Sequence, residues 1–504
     1  MKSIKHWVFW PPFLILIGSM AYSLLDAESF SEQTKFLNAQ LLEHFGWLFS
    51  VSTLCFLGIC IWVYFSPLAN IRIGGKDAKP ILTKWRWFAI TLCTTVAVGI
   101  LFWGTAEPLM HYQSPPQGLG IAPNSPDSAR FAMSTMFMHW TFIPYGIYAL
   151  AGLMFALTYY NLKQPFSLGS MLYPLIGERA YGPLGNAVDA ICLYSLVAGM
   201  AASLGAGILS LVGGMESVLG VPDAPWVLAL VAILIVGTFI LSAASGLLKG
   251  IRILSDINIK AFFGFSIFVF IFGPTTYILS FGFEGLGEFL QTFFQRSLYT
   301  GTAAGDSWPK DWTIFYWANW LAWTPVTALF LGRLSVGYTV RDFLNMNLIY
   351  PSIFGCLWMM IFSGTSLYMD IHSVEGGLAT VLAEKGFENV MYAVFDRLPL
   401  STVTSIIFIL VTFLSYVTAA DSNTSAMSGL SSSGISPESP EPSFWIKIIW
   451  GSIVGLIAWV MVSQADIEGI KMTSNLGGFP ALFLVIAVAA GMIRLIRNPE
   501  MLRK

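Results

Sequence analysis

The sequence predicts an all-α membrane protein with about twelve transmembrane helices. Three observations lead there. Of 504 residues, 56% are hydrophobic and only 11% are charged, whereas a soluble domain carries roughly 25% charged residues. The mean hydropathy is +0.69. Apolar runs long enough to cross a bilayer core, about 20 residues each, recur along nearly the whole chain. The composition excludes an ordinary cytosolic enzyme and a disordered chain. It also excludes a nucleic-acid binder, whose basic footprint is missing at a net charge of −2.

The first run, Trp7 to Leu25, follows Lys2, Lys5 and His6. It is too long for a signal-peptide core and lacks a clear small-residue cleavage site, so it is expected to be retained as the first span. The remaining runs cover 47–66, 85–108, 133–159, 186–213, 225–247, 260–282, 312–333, 346–369, 400–430, 444–463 and 475–496. Between spans seven and eight, Phe283, Leu286, Phe289, Leu290, Phe293 and Phe294 alternate with Glu284, Glu288, Gln291, Gln295 and Arg296. That spacing predicts an amphipathic helix lying in the membrane interface over Phe283 to Leu298. The tails are short, which leaves no expectation of a soluble domain. The five cysteines all lie in apolar runs without CxxC spacing and are expected to be buried free thiols.

Charge sets the orientation. With the first residues inside and alternating spans, inside segments hold 19 of the 26 basic residues and outside segments hold 18 of the 28 acidic ones. Basic loops stay on the cytoplasmic side, so both termini are expected in the cytoplasm. Glu438 and Glu441, in the loop at 431–443, run against this rule.

Two spans carry helix-breaking residues beside polar or aromatic clusters. Span three reads Gly99-Ile-Leu-Phe-Trp-Gly-Thr-Ala-Glu-Pro108, and span eight contains Trp323-Thr324-Pro325. Interrupted helices expose backbone groups that hold ions or carboxylates in transporters. Aromatic residues cluster in span four (Trp140, Phe142, Tyr145, Tyr148) and in span eight (Trp312, Phe315, Tyr316, Trp317, Trp320, Trp323). Trp308 and Trp312 fit an interfacial belt. Trp320 and Trp323 lie deeper and share a helix face. An aromatic cage holds a quaternary ammonium, which has no N–H to donate, through cation–π attraction. The residues alone leave this reading beside plain helix packing. Glu107 reads as a cap or ion-pair partner at the outer end of span three, Asp421 as a hydrogen-bond hub, and His139 as a satisfied buried histidine rather than a proton carrier.

In span eight the stretch Asp311-Trp-Thr-Ile-Phe-Tyr-Trp-Ala-Asn-Trp320 resembles the signature of the betaine/choline/carnitine transporter family, and Gly332-Arg-Leu-Ser-Val-Gly-Tyr-Thr-Val-Arg341 is similar to its continuation. Agreement extends to Phe102-Trp-Gly-Thr-Ala-Glu-Pro108, His139-Trp140, Tyr173-Pro-Leu-Ile-Gly177 and Ala420-Asp-Ser422. The resemblance implies a five-plus-five inverted-repeat core. Two peripheral helices would occupy 1–84, the first repeat 85–282, the interfacial helix and loop 283–311, the second repeat 312–496 and a short tail 497–504. It further implies homotrimers in a bacterial cytoplasmic membrane and alternating access past an aromatic box of Trp140, Tyr145, Tyr148, Trp320 and Trp323. Trp317 would belong to the inner path.

The departures from the family pattern bear on the substrate and the coupling ion. Asn319 stands where the family has a first tryptophan, replacing an aromatic wall with an amide that donates and accepts hydrogen bonds. The residues matching possible ion-site positions are Val96 and Gly99 in the stretch Thr95-Val-Ala-Val-Gly99, with Thr327 and Thr418. Ala419 and Ala202 stand where hydroxyls would be expected. Sodium prefers oxygen ligands, so each lost hydroxyl argues against it. Asn258 stands near the position of the arginine of sodium-independent exchangers, and the aspartate of proton-coupled choline carriers has no counterpart in span three.

The expectation is a secondary transporter for carnitine, butyrobetaine, glycine betaine or a similar zwitterion, without a cofactor and working among membrane lipids. Sodium-independent exchange is favoured. The alternative is sodium-coupled uptake of a betaine-like or sulfonium osmolyte. An enzyme would need a nucleophile–base pair or metal motif, and the five histidines show no HExxH spacing. A channel would show a filter loop.

Overall fold

The computed structural model describes residues 4–95, 99–222, 224–244, 248–373, 377–434 and 442–502. Among them the regular structure is entirely helical. In a bilayer each backbone N–H and C=O must find a partner within the protein, which leaves helices as the way to cross for runs of this length. The chain forms α1 (His6–Leu25), α2 (Ala27–Phe65), α3 (Lys84–Thr95), α4 (Gly99–Gln113), α5 (Pro126–Trp140), α6 (Phe142–Ala156), α7 (Tyr173–Ile176), α8 (Pro183–Leu219) and α9 (Pro225–Ala244). It continues with α10 (Leu248–Phe272), α11 (Thr275–Ser297), α12 (Phe315–Leu334), α13 (Val340–Leu344), α14 (Tyr350–Ile371), α15 (Leu378–Lys385), α16 (Phe387–Asp396), α17 (Ser401–Leu430) and α18 (Phe444–Arg497). The twelve apolar runs are largely helical where described, with interior breaks at Thr141 and at Gly273 and Pro274. Seven helical stretches are long and apolar enough to cross a membrane by themselves, and the α10–α11 pair makes an eighth.

The boundaries differ from the sequence expectation at four places. α2 starts at Ala27 rather than near 47, because Asp26 caps it through the Ser29 N–H at 3.1 Å and helix formers fill 27–45. At 39 residues it is about 58 Å long, nearly twice the bilayer core. The interfacial helix starts at Thr275 rather than 283. Gly273 and Pro274 end α10, and Ile257–Phe272 and Thr275–Ser297 are bent by 107°. On α11, Phe283, Leu290 and Phe294 stay exposed while Phe289 is buried. Arg296 is also buried: it bonds Ser134 and Thr135 of α5 and lies over the Phe131 ring at 4.1 Å. α15 and α16 build a helical cap where only a loop was expected.

The fourth difference concerns the breaks. Span eight, expected to be interrupted at Pro325, runs unbroken through it. The Thr324 and Thr327 hydroxyls bond the carbonyls of Trp320 and Trp323 at 2.9 and 3.2 Å. The break falls in span four instead. Thr141 leaves helical geometry (φ −127°, ψ −118°) between α5 and α6. Pro144 explains it: in a continuous helix its ring would strike the Trp140 carbonyl, which it cannot bond. α18 holds two spans joined at Asp466, whose φ is +47°. Span three is described as α3 and α4, and residues 96–98, including Val96, lie outside the described residues. Glu438 and Glu441 do too.

α18 lies along α8, α2 and α12, and α12 lies along α6. Without a hydrophobic force between helices in lipid, close approach depends on small residues. At Gly478 of α18 an added Cβ would overlap the Ala318 backbone of α12. Gly478→Ala is therefore expected to cost about 1–3 kcal/mol and lower the thermal unfolding midpoint in detergent. Gly58→Ala on α2, where a Cβ meets nothing within 4 Å, is expected not to. Equal midpoints for both variants would contradict the packing at this crossing.

Candidate functional site

The break in span four and the unbroken span eight together build the site. Residue 143 lies beyond the break, so the His139 carbonyl loses its usual helical partner. The Trp320 indole N–H supplies one at 3.1 Å. That bond seats the Trp320 ring against α5 and α6. Its centroid lies 5.8 Å from Trp140, 5.5 Å from Tyr145 and 4.9 Å from Tyr148. Tyr145 and Tyr148 stand three residues apart on α6 and so face α12 together. Four of the expected box residues thus meet around Trp320, all buried. Edge-on and tilted contacts at these distances are the favoured arrangement of aromatic pairs. Each of the other three rings packs on Trp320 in this conformation.

The other expected residues lie elsewhere. Trp317 faces His139, its ring 5.9 Å away and perpendicular, and its buried indole nitrogen has no partner. Trp323 is only partly buried and borders α8 at Gly199. Asn319 accepts a hydrogen bond from the Ser474 hydroxyl of α18 at 3.2 Å. Gly99, on α4, lies against Trp140, where a Cβ would come within 2.8 Å of the indole ring. Thr418 turns its hydroxyl onto the Leu414 and Ser415 carbonyls of its own helix, both at 2.9 Å, as Thr327 does with Trp323 and Thr324.

Beneath the cluster stands a feature the sequence reading undervalued. Glu107 of α4 is fully buried and its carboxylate collects four donors. One oxygen accepts from the Trp140 indole at 2.9 Å and from the Tyr316 hydroxyl. The other meets His111 Nε2 at 3.0 Å and His139 Nδ1 at 2.8 Å. His139 Nε2 pairs in turn with the Thr313 hydroxyl at 3.1 Å. Glu107 therefore ties α4, α5 and α12 at one point and fixes the Trp140 ring. Trp308 and Trp312, expected in an interfacial belt, are instead buried over His111, with centroids 5.1 and 4.7 Å from it. The spacing of Glu107 and His111 puts both on one helix face. Their link to Tyr316, 209 residues away, carries no local signal. The ligand atoms of Glu107, His111 and His139 lie within 4.8 Å of one another. Both imidazole nitrogens sit at hydrogen-bond distance from one shared oxygen, however, and the second oxygen is taken by Trp140 and Tyr316.

Comparison with known proteins decides the family. A model of the betaine/carnitine/choline family transporters matches residues 7–501. The chain belongs to this family. It is a membrane transporter and not an enzyme. Among its relatives are a probable glycine betaine transporter of Desulfitobacterium hafniense (strain Y51), 30% identical and covering 91% of both chains. A glycine betaine transporter of Bacillus subtilis (strain 168) is 31% identical, over 96% of this chain and 93% of the relative. An ectoine/hydroxyectoine transporter of Virgibacillus pantothenticus is also 31% identical, over 91% and 89%.

Glu107→Gln would present an amide NH₂ to the N–H and O–H donors around it. It is expected to lose at least one buried pair and destabilise the protein by about 1–3 kcal/mol. Tyr316→Phe, which removes a single donor, is expected to cost about 1 kcal/mol. Denaturation of both variants in detergent checks the order, and a Glu107→Gln protein as stable as wild type would remove the carboxylate from this role.

Proposed function

We propose that the chain is a secondary active transporter of a small zwitterion with a quaternary ammonium group, of the class of glycine betaine, carnitine and butyrobetaine. It works by alternating access in a bacterial cytoplasmic membrane, with both termini inside, as a homotrimer built on repeats 85–282 and 312–496. The observation that carries the reading is the ring cluster of Trp140, Tyr145, Tyr148 and Trp320, with Trp323 one turn further along α12. A quaternary ammonium offers no hydrogen bond and is held by ring faces. The names of the glycine betaine transporters among its relatives support the same substrate class. Because Trp320 packs on the other three rings, the cation enters as Trp320 parts from the α6 tyrosines. Asn319, already accepting from Ser474, offers its amide hydrogens to a polar group of the substrate. Transport runs without sodium, since Ala202 and Ala419 lack the oxygens such an ion needs.

Counterflow in proteoliposomes tests this, with a panel of trimethylammonium zwitterions and with sodium present or absent. A carrier accumulates labelled substrate against trapped unlabelled substrate, and a channel does not. Trp320→Leu and Trp323→Leu are each expected to weaken apparent affinity roughly tenfold or more, from about 2 kcal/mol of lost cation–π contact. Normal affinity in the Trp323→Leu protein would take that residue out of the cage.

A further inference from the structure

We propose that the cleft between α1, α2, α8 and α18 is a lipid-binding site, which takes an acyl chain of an outer-leaflet phospholipid with an amine headgroup, and that this lipid regulates transport. The regulatory part rests on the transport reading above. The cleft encloses a cavity of about 270 Å³. Close-packed interiors leave few voids larger than a water molecule, so a space of this size is a feature of the helix arrangement.

Its lining is sorted along the membrane normal. Leu16 of α1, Ala198 of α8, and Val460 and Met472 of α18 are buried and apolar. The polar groups gather at one end. Ser19 and Ser23 lie in the last two turns of α1, Ser31 and Thr34 near the start of α2, and Gln464 just before the break at Asp466. Ser23 and Gln464 hold each other, the hydroxyl donating to the side-chain oxygen at 2.8 Å and the amide to the Ser23 carbonyl at 3.3 Å. With both termini inside, that end faces outside. Among the described residues no charged side chain lines the cavity. A charged ligand would give up its water there without a partner, whereas an alkyl chain loses nothing. Apolar walls that end in hydroxyls match a chain that ends in ester oxygens. Leu37, on the rim, is 55% exposed, so the cavity reaches the surface that lipid covers.

The charges beside the rim decide the headgroup. The start of α2 brings Asp26, Glu28 and Glu32 against one lysine, Lys35. Next to Gln464, α18 carries Asp466 and Glu468. Its Lys471 is engaged by Glu468 at 3.1 Å and by the Trp312 ring at 4.3 Å. An acidic rim repels an anionic headgroup and attracts one with an ammonium.

Two contacts lead from the cavity to α12. Thr473 and Leu476 line it. Between them Ser474 bonds Asn319, one residue before Trp320, at 3.2 Å, and Asn475 bonds Asn38 of α2 at 2.8 Å. Ala198 also lines it, and beside it a Cβ on Gly199 would come within 3.3 Å of the Trp323 ring. A chain seated between α2 and α18 therefore bears on the helix that carries Trp320 and Trp323, so lipid and substrate change each other's affinity, as linkage requires.

The test places the whole protein in liposomes containing phosphatidylethanolamine with a diazirine in its acyl chain, and maps the cross-linked peptides by mass spectrometry. Label is expected between Leu16 and Met20 of α1 and near Ile457 and Met461 of α18. It is expected to fall severalfold in Thr34→Trp, whose indole fills the cavity, and to persist in Ile61→Trp, on the exposed face of the same helix. Should Thr34→Trp fail gel filtration, Ser19→Trp fills the space from α1. The same probe with a phosphatidylglycerol headgroup is expected to label the cavity up to about fivefold less, the upper range for exposed charge pairs, and Glu28→Gln with Glu32→Gln to narrow that gap. Label spread evenly over lipid-facing residues, or unmoved by either filling variant, would overturn the site. Equal labelling by the two headgroups would overturn the choice of amine. Counterflow of glycine betaine with and without phosphatidylethanolamine reads the regulation: a change in rate is expected in wild type and not in the filled variant, and an equal change in both would overturn it. Absence of counterflow in every lipid would count against the transport reading, while the cross-linking result would stand.

Discussion

A carboxylate buried among membrane helices must collect enough donors to replace water, and in this protein that requirement organises the middle of the fold. Glu107 meets it with groups from three helices that lie far apart in sequence. Three of the four donors have a second duty. His139 sits beside the break in span four, Tyr316 lies on the helix that carries the ring cluster, and Trp140 is one of the rings. The bond set therefore makes the position of the cluster depend on a single charged group. Removing one partner of a buried charge leaves the other uncompensated, which costs more than the pair contributes.

The break in span four follows the same economy of backbone partners. Pro144 forbids a continuous helix, so the chain must leave helical geometry at Thr141 and free carbonyls appear in a region without water. The Trp320 indole takes one of them. Gly355 of α14 stands against another, with the Trp140 carbonyl only 2.8 Å from where its Cβ would be. A freed carbonyl in one helix is thus paired by a side chain of another, and that bond is what brings Trp320 to the tyrosines of α6.

Composition and apolar run length made the helical membrane architecture legible, because lipid leaves the backbone few alternatives. The span-eight motif made the family legible, and most of the box residues it implied do meet in space. The places where sequence reasoning erred share one cause. Proline and glycine mark where a helix can break, but whether it does depends on what waits to accept the freed groups. α12 continues as a helix through Pro325, whereas the chain leaves helical geometry at Thr141, just ahead of Pro144. The start of α11 at Thr275 and of α2 at Ala27 were missed because hydropathy reports membrane depth and says little about where a helix begins. Glu107 was underrated because its partners His139 and Tyr316 are distant in sequence and look, one by one, like ordinary packing residues.

The mutual contact of the four rings bears on what the protein does when idle. A membrane that stores energy as ion gradients must remain an insulator, and any wetted seam through an embedded protein would short it. Where indole and phenol rings pack at this layer, little room is left for a column of water. On the proposed transport reading, such a layer would serve as a dielectric plug, and a carrier resting in this conformation would not drain the potential on which active transport depends.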